Sequence, residues 1–172
     1  MSVAFEPIAF LQLAQQLVGA GGSSLIPSAA ASEAQVRTAL GRTYDALYLL
    51  VRREISRRHG ILYRHLQHGT VYTRLQSPVA SDEVRRLGRN LEWMYRLRQK
   101  ADYELDPDGS WREHLTDEVR ALGLAQLAME LAALLPRLDF SPVVPLLQPG
   151  GAPTQPPTQS PYSHPGWGCT QL

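Results

Sequence analysis

Cysteine is almost missing from this chain: Cys169 stands alone among 172 residues. A single thiol excludes an intramolecular disulfide and a cysteine-based zinc site, and the reading is a reducing, cytoplasmic compartment. Lysine is almost missing too, with Lys100 alone beside sixteen arginines. An excess of one charge is absent, since the formal net charge is +1, so the whole chain is no polycation. No glycine-rich phosphate loop, nucleophile elbow or HExxH pattern occurs, which removes the common P-loop, Rossmann, serine-elbow hydrolase and zinc-protease readings. No uncharged apolar run reaches the roughly 18 residues of a membrane span. The opening "MSVAFEP" has an acid and no basic region before an apolar run, so no signal peptide is expected. No segment alternates as a strand does. No cofactor is implied.

What is present divides into a body and a tail. Hydrophobic residues make up 44% of the chain, enough for a packed core. Residues 1–140 read as a helical body. Residues 141–172 hold no Asp, Glu, Lys or Arg, and eight of the thirteen prolines. Proline lacks the amide donor that helices and sheets use, so this segment reads as a disordered or polyproline-like tail. Its Tyr162 and Trp167 offer docking groups to a partner.

The body reads as helices joined by short connections. The first, from Phe5 to about Ala20, places Phe10, Leu13, Ala14, Leu17 and Val18 on one face. Ser32 and Gln35 form a capping box for a long second helix ending near His59, with Gly60 as its stop. Leu40, Tyr44, Leu47, Val51 and Ile55 face inward along it. Its interior Gly41 costs about 1 kcal/mol against alanine, and such a glycine often marks a second backbone packed close by. "HGTVYTRLQ" reads as a short helix or turn. Pro78 separates it from a helix over 81–104, and "DPDGS" marks a turn. A last helix begins near Thr116 and carries Leu124, Leu127, Leu131, Leu134 and Leu138. The fold class expected is all-α: an up-and-down four-helix bundle with one additional short helix.

Three features carry candidate chemistry. Arg52, Arg53, Arg57, Arg58, Arg64 and Arg74 are opposed in sequence by Glu54 alone. Phosphate backbones reward such local charge by counterion release, and Tyr63 and Tyr72 could stack on bases. The same arginines also complement the dipole of a helix end. His65 and His68 have a spacing that can serve a metal, but no carboxylate adjoins them and flanking arginines repel a cation, so no metal centre is assigned. The third feature is Arg98, which falls on the seam of Val84, Leu87, Leu91, Met94 and Ala101. A guanidinium there must be paired, and Asp102 is one turn on.

Three stretches resemble one family. "GRTYDALYLLVRREI", Gly41 to Ile55, is similar to the "SRxYYAxFxxAxxLL" helix of small bacterial HEPN (higher eukaryotes and prokaryotes nucleotide-binding) proteins. "HGTV", His68 to Val71, resembles their "HSGV/HGGV". "LGRNLEWMYRLRQKADYEL", Leu87 to Leu105, resembles "LGxxLxxLxxLRxxADYD". The order and gaps agree. The resemblance implies a four-helix HEPN bundle, usually a homodimer, often from a toxin–antitoxin or defence locus with a minimal nucleotidyltransferase as partner. It implies RNA or nucleotide binding, and in the nuclease members metal-independent cleavage by an Arg followed after four to six residues by His.

This chain departs from that nuclease pattern. After Arg98 the available residue is Asp102, and Asp45 and Gly41 replace the second Tyr and the Ser of the family's second-helix motif. Two functions of different class follow. One is a module binding RNA or nucleotide phosphate in a helical cleft, with Arg42, His68, Tyr103, Arg53, Arg57, Arg58 and Arg64 as binding residues. The other is an endoribonuclease with Arg98 and Asp102 as its catalytic pair. A ligand-free helical scaffold is the plainest alternative. Arg98 is expected to point into a cleft shared with Arg42, His68 and Tyr103.

Overall fold

The computed structural model describes residues 6–19, 29–104, 115 and 117–148. Every regular element among them is helical, and no strand occurs among them. Helix α1 spans Ile8–Gly19, α2 Ala29–His59, α3 His68–Leu75, α4 Asp82–Tyr103, α5 Glu118–Leu134 and α6 Val144–Leu147. Short 3-10 turns occupy Tyr63–His65, Leu135–Arg137 and Ser141–Val143. The "DPDGS" turn, Thr116 and residues 149–172 lie outside the described residues.

Helix α2 is the axis of the molecule. Its 31 residues extend about 46 Å at 1.5 Å per residue. It packs against α1, α4 and α5, and α1 also packs against α5. Apolar side chains therefore surround its middle: Val36, Leu40, Tyr44, Leu47, Val51 and Ile55 are buried along one stripe, and so are Ala39 and Leu50 beside it. The helix begins at Ala29, so Ser32 lies inside it rather than capping it. Its other end stops as the sequence suggests. Gly60 takes φ +67°, where a side chain would be strained, and its N–H donates to Ser56 O at 2.9 Å.

The remaining helices are placed by caps and close contacts. Ser81 Oγ accepts from Val84 N at 3.3 Å and starts α4, whose first turn carries Asp82 and Glu83. Asp117 Oδ1 accepts from Val119 N and Arg120 N at 2.9 and 3.1 Å and starts α5, so the cap is one residue beyond Thr116. Helix α3 lies on α4 at Gly88, where a Cβ would meet Leu75 Cβ and Gln76 Cγ at 2.9 Å and Tyr72 O at 3.0 Å. Gly41 was the glycine expected to admit a neighbouring backbone. It instead faces a side chain, Asp102, at ordinary contact distance.

Two arginines of α2 tie down the carboxyl ends of its neighbours. Arg37 Nη1 donates to Ala101 O at 3.0 Å and Glu104 O at 2.7 Å, at the end of α4. Arg58 donates to Leu138 O at 2.8 Å, Leu135 O at 3.3 Å and Pro136 O, after the end of α5. The packed body continues past Phe140, since Val143 and Leu147 are buried and α6 rests on α3. Composition placed the boundary at residue 140 because the prolines begin there; two of them, Pro142 and Pro145, sit in first turns, where the missing donor costs nothing.

In α1, Leu11, Ala14 and Val18 are fully or nearly buried while Leu13 is exposed. In α5 the buried face is Ala121, Leu124, Ala125, Ala128 and Leu131, and Leu134 is exposed. Glu118–Arg137 has the length and apolarity to cross a membrane despite its charges.

Candidate functional site

Two cavities flank the line where α2 meets α4 and α3. The first, of about 250 Å³, is lined by Thr38, Gly41, Arg42 and Asp45 of α2 and by Arg98 and Asp102 of α4. Leu97 and Ala101 hold the buried seam of α4, and Arg98 sits on its margin, partly exposed. Arg98 Nε pairs with Asp102 Oδ2 at 2.9 Å. Arg42 Nη1 lies 4.0 Å from Asp45 Oδ2, and its guanidinium stands 4.9 Å from the Phe10 ring centroid. Burial raises the Asp45 pKa against the lowering fields of Arg98 and Arg42, and Asp102 raises it further. The cavity thus holds two cations and two carboxylates, a balanced set that does not favour an anion.

Tyr103 does not join this cavity. It is 73% exposed. One residue along a helix is about 100° of rotation, so Asp102 faces α2 while Tyr103 faces solvent.

The second cavity, of about 550 Å³, is lined by Tyr48 and Arg52 of α2, Tyr63 and Arg64 of the following turn, Leu66 to Gly69 at the entry to α3, and Tyr95 of α4. No carboxylate lines it. The four-residue spacing of Tyr44, Tyr48 and Arg52 puts all three on one face of α2. Arg52 lies between two rings, 5.2 Å from the Tyr48 centroid and 4.9 Å from Tyr63. One of its amino groups donates to Tyr63 O at 2.7 Å, while its buried Nε has no partner. Gln67 precedes α3 without capping it through its side chain, so the positive end of that helix opens beside the cavity.

His68 sits among the aromatic rings. It stacks on Tyr48 at 4.0 Å between centroids and on Tyr95 at 5.5 Å, and its Nδ1 is hydrogen-bonded to Tyr44 OH. Burial lowers its pKa from the usual 6.5, and the fields of Arg98 and Arg52 lower it further, with Asp45 opposing. The imidazole is therefore neutral at pH 7. Burial also raises the Tyr44 and Tyr48 hydroxyls above the usual 10.0, so both remain protonated.

Apart from Tyr103, the residues expected to bind phosphate and the expected catalytic pair, Arg98 and Asp102, separate into three groups. Arg42, Arg98 and Asp102 share the first cavity. Arg64 and His68 share the second. Arg53, Arg57 and Arg58 line neither. Arg53 pairs with Glu6 at 2.8 Å, Arg57 with Glu54 at 2.9 Å, and Arg58 with Glu54 at 2.5 Å in addition to its three carbonyls. Local counting showed only Glu54 against this stretch; Glu6 and the end of α5 arrive by folding. Sequence reasoning passed over Tyr48, Tyr95 and the central place of Arg52. The spacing of Tyr44, Tyr48 and Arg52 was the available signal. Among the described residues no group of three or more His, Cys, Asp or Glu is arranged to hold a metal.

No family model, curated protein or solved structure matches this chain.

Proposed function

We propose that this chain is a HEPN-like four-helix module that binds RNA or a nucleotide by its phosphate. On this reading it acts in the cytoplasm as a homodimer, beside a minimal nucleotidyltransferase, in a toxin–antitoxin or defence system. The motif resemblance supports the family reading: its three stretches fall on α2, at the start of α3 and on α4, with α1 and α5 completing four long helices. The observation that carries the binding reading is the second cavity. Two arginines, a histidine and three tyrosines line a space with no carboxylate. Its volume lies within the roughly 300–1,000 Å³ of small-ligand sites. Guanidinium groups hold phosphate oxygens bidentately, and aromatic faces accept bases.

One feature favours a second reading, metal-independent ribonuclease. A neutral imidazole and two arginines share the cavity, the groups needed to accept a 2′-hydroxyl proton and to hold the scissile phosphate. Arg98 and Asp102 suit that role less well, because the carboxylate is committed to the guanidinium beside it.

Incubating the protein with labelled RNA in EDTA, beside Arg64→Ala, separates the readings. Retarded and intact RNA is the outcome for the binding module. Cleavage that survives EDTA and is lost in Arg64→Ala makes the protein a ribonuclease. RNA that is neither retarded nor cut, with no nucleotide binding, removes both.

A further inference from the structure

Tyr63 differs from the other tyrosines of the second cavity. Tyr48 and Tyr95 stack on His68, so their rings serve the interior. Tyr63 is 45% exposed, and its ring contact is the Arg52 guanidinium. It stands on a short turn at the rim, next to Leu62, which is 52% exposed. Arg52 both underlies the ring and donates to the Tyr63 carbonyl, so the ring, the turn and the cation hold one another in place. A ring fixed before binding loses little entropy on accepting a ligand.

We propose that Tyr63, backed by Arg52 and extended by Leu62, is a stacking platform for one unpaired base of an RNA strand whose phosphates lie on Arg52 and Arg64. This rests on the phosphate-binding reading above and adds the base and its strandedness. A paired base is covered on both faces within its helix and cannot use such a platform. The platform lies at the rim rather than in a closed pocket, which leaves the strand free to continue past it in both directions.

The test is fluorescence anisotropy with an unpaired RNA of about eight nucleotides, a typical single-strand site size. The same sequence in duplex, and ribose 5-phosphate as competitor, complete the set. Wild type and Tyr63→Phe bind the single strand alike. Tyr63→Ala weakens it roughly 5- to 150-fold, the range for a lost base–aromatic stack, and leaves ribose 5-phosphate unaffected. Equal loss for both ligands would mean that Tyr63 only positions Arg52, and the platform inference fails. Duplex binding as tight as single-strand binding overturns it as well. Tyr63→Ala binding like wild type while Arg64→Ala fails removes the platform and leaves the phosphate reading intact. Absence of binding to any of these ligands removes both.

Discussion

Gly88 and Gly123 are interior glycines of long helices with opposite surroundings. At Gly88 a methyl group would meet Leu75 and Gln76 side chains at 2.9 Å and a backbone carbonyl at 3.0 Å. The carbonyl belongs to α3 and cannot swing aside. Overpacking of this kind costs about 1–3 kcal/mol, more than alanine's helix preference returns. Gly88→Ala therefore lowers the midpoint of urea unfolding. Nothing lies within 4 Å of a Cβ at Gly123, so Gly123→Ala raises it, by about 0.5–1 kcal/mol of stability. The sequence shows both glycines in the same way; only the neighbouring helix distinguishes them. This is also why Gly41 looked like a packing glycine and is instead open to a cavity.

His68 gives a prediction in pH at the same scale. Its folded pKa lies below the usual 6.5, so the unfolded chain takes up a proton first as pH falls. Stability from this group is level above that value and declines below it. The groups around it are Tyr44, Tyr48, Arg52 and Asp45 of α2, and Tyr95 and Arg98 of α4. Asp45, with its raised pKa, acts in the opposite direction at lower pH, where its folded form gains the proton first. Urea unfolding from about pH 7.5 to about pH 5.5 shows a loss of stability in wild type that is smaller in His68→Gln. Equal slopes would contradict the half-buried, neutral imidazole.

At the scale of elements, helix positions were legible because apolar residues recur at helical spacing. Which residue caps or faces what was less so. Asp117 caps α5, one residue beyond Thr116, which is also a capping type, and a difference of one residue leaves no mark in the apolar pattern. Leu97 and Arg98 both lie near the α4 seam, and the neighbouring helix decides that the leucine is buried. Tyr103 was assigned to the cleft by its nearness in sequence to Asp102, which helical rotation makes a poor guide. The arginines of α2 show the same limit. Arg58 reads as a phosphate ligand from its basic neighbours, yet it holds three carbonyls beyond α5. Arg58→Ala should cost about 1.5–3 kcal/mol in unfolding, the range for hydrogen bonds to a charged group, and leave RNA affinity as in wild type. A selective loss of RNA affinity with unchanged stability would return Arg58 to the binding surface.

Across the whole molecule, the charge balance distinguishes the two cavities. The net charge of +1 spreads over many local pairs. Arg53, Arg57, Arg58, Arg42 and Arg98 each have a carboxylate within 4.0 Å. Within the basic stretch read from the sequence, Arg57 and Arg58 are neutralised by Glu54, which local counting already showed, and Arg53 by Glu6, which folding brings to it. Arg52 and Arg64 line the one of these two cavities that has no carboxylate. The motif resemblance led to α2, α3 and α4, and it placed His68 among the site residues. It drew attention to Arg98, whose cavity is balanced, and assigned no role to Arg52.

The most direct test of the phosphate-binding account is the salt dependence of RNA affinity for wild type, Arg64→Ala and Arg42→Ala. Wild type should give a linear fall of log affinity with log salt, and Arg64→Ala a slope smaller by about 0.7, one single-strand phosphate contact. Arg42→Ala should keep the wild-type slope. A slope unchanged in Arg64→Ala but reduced in Arg42→Ala would put the phosphate in the other cavity and contradict the account.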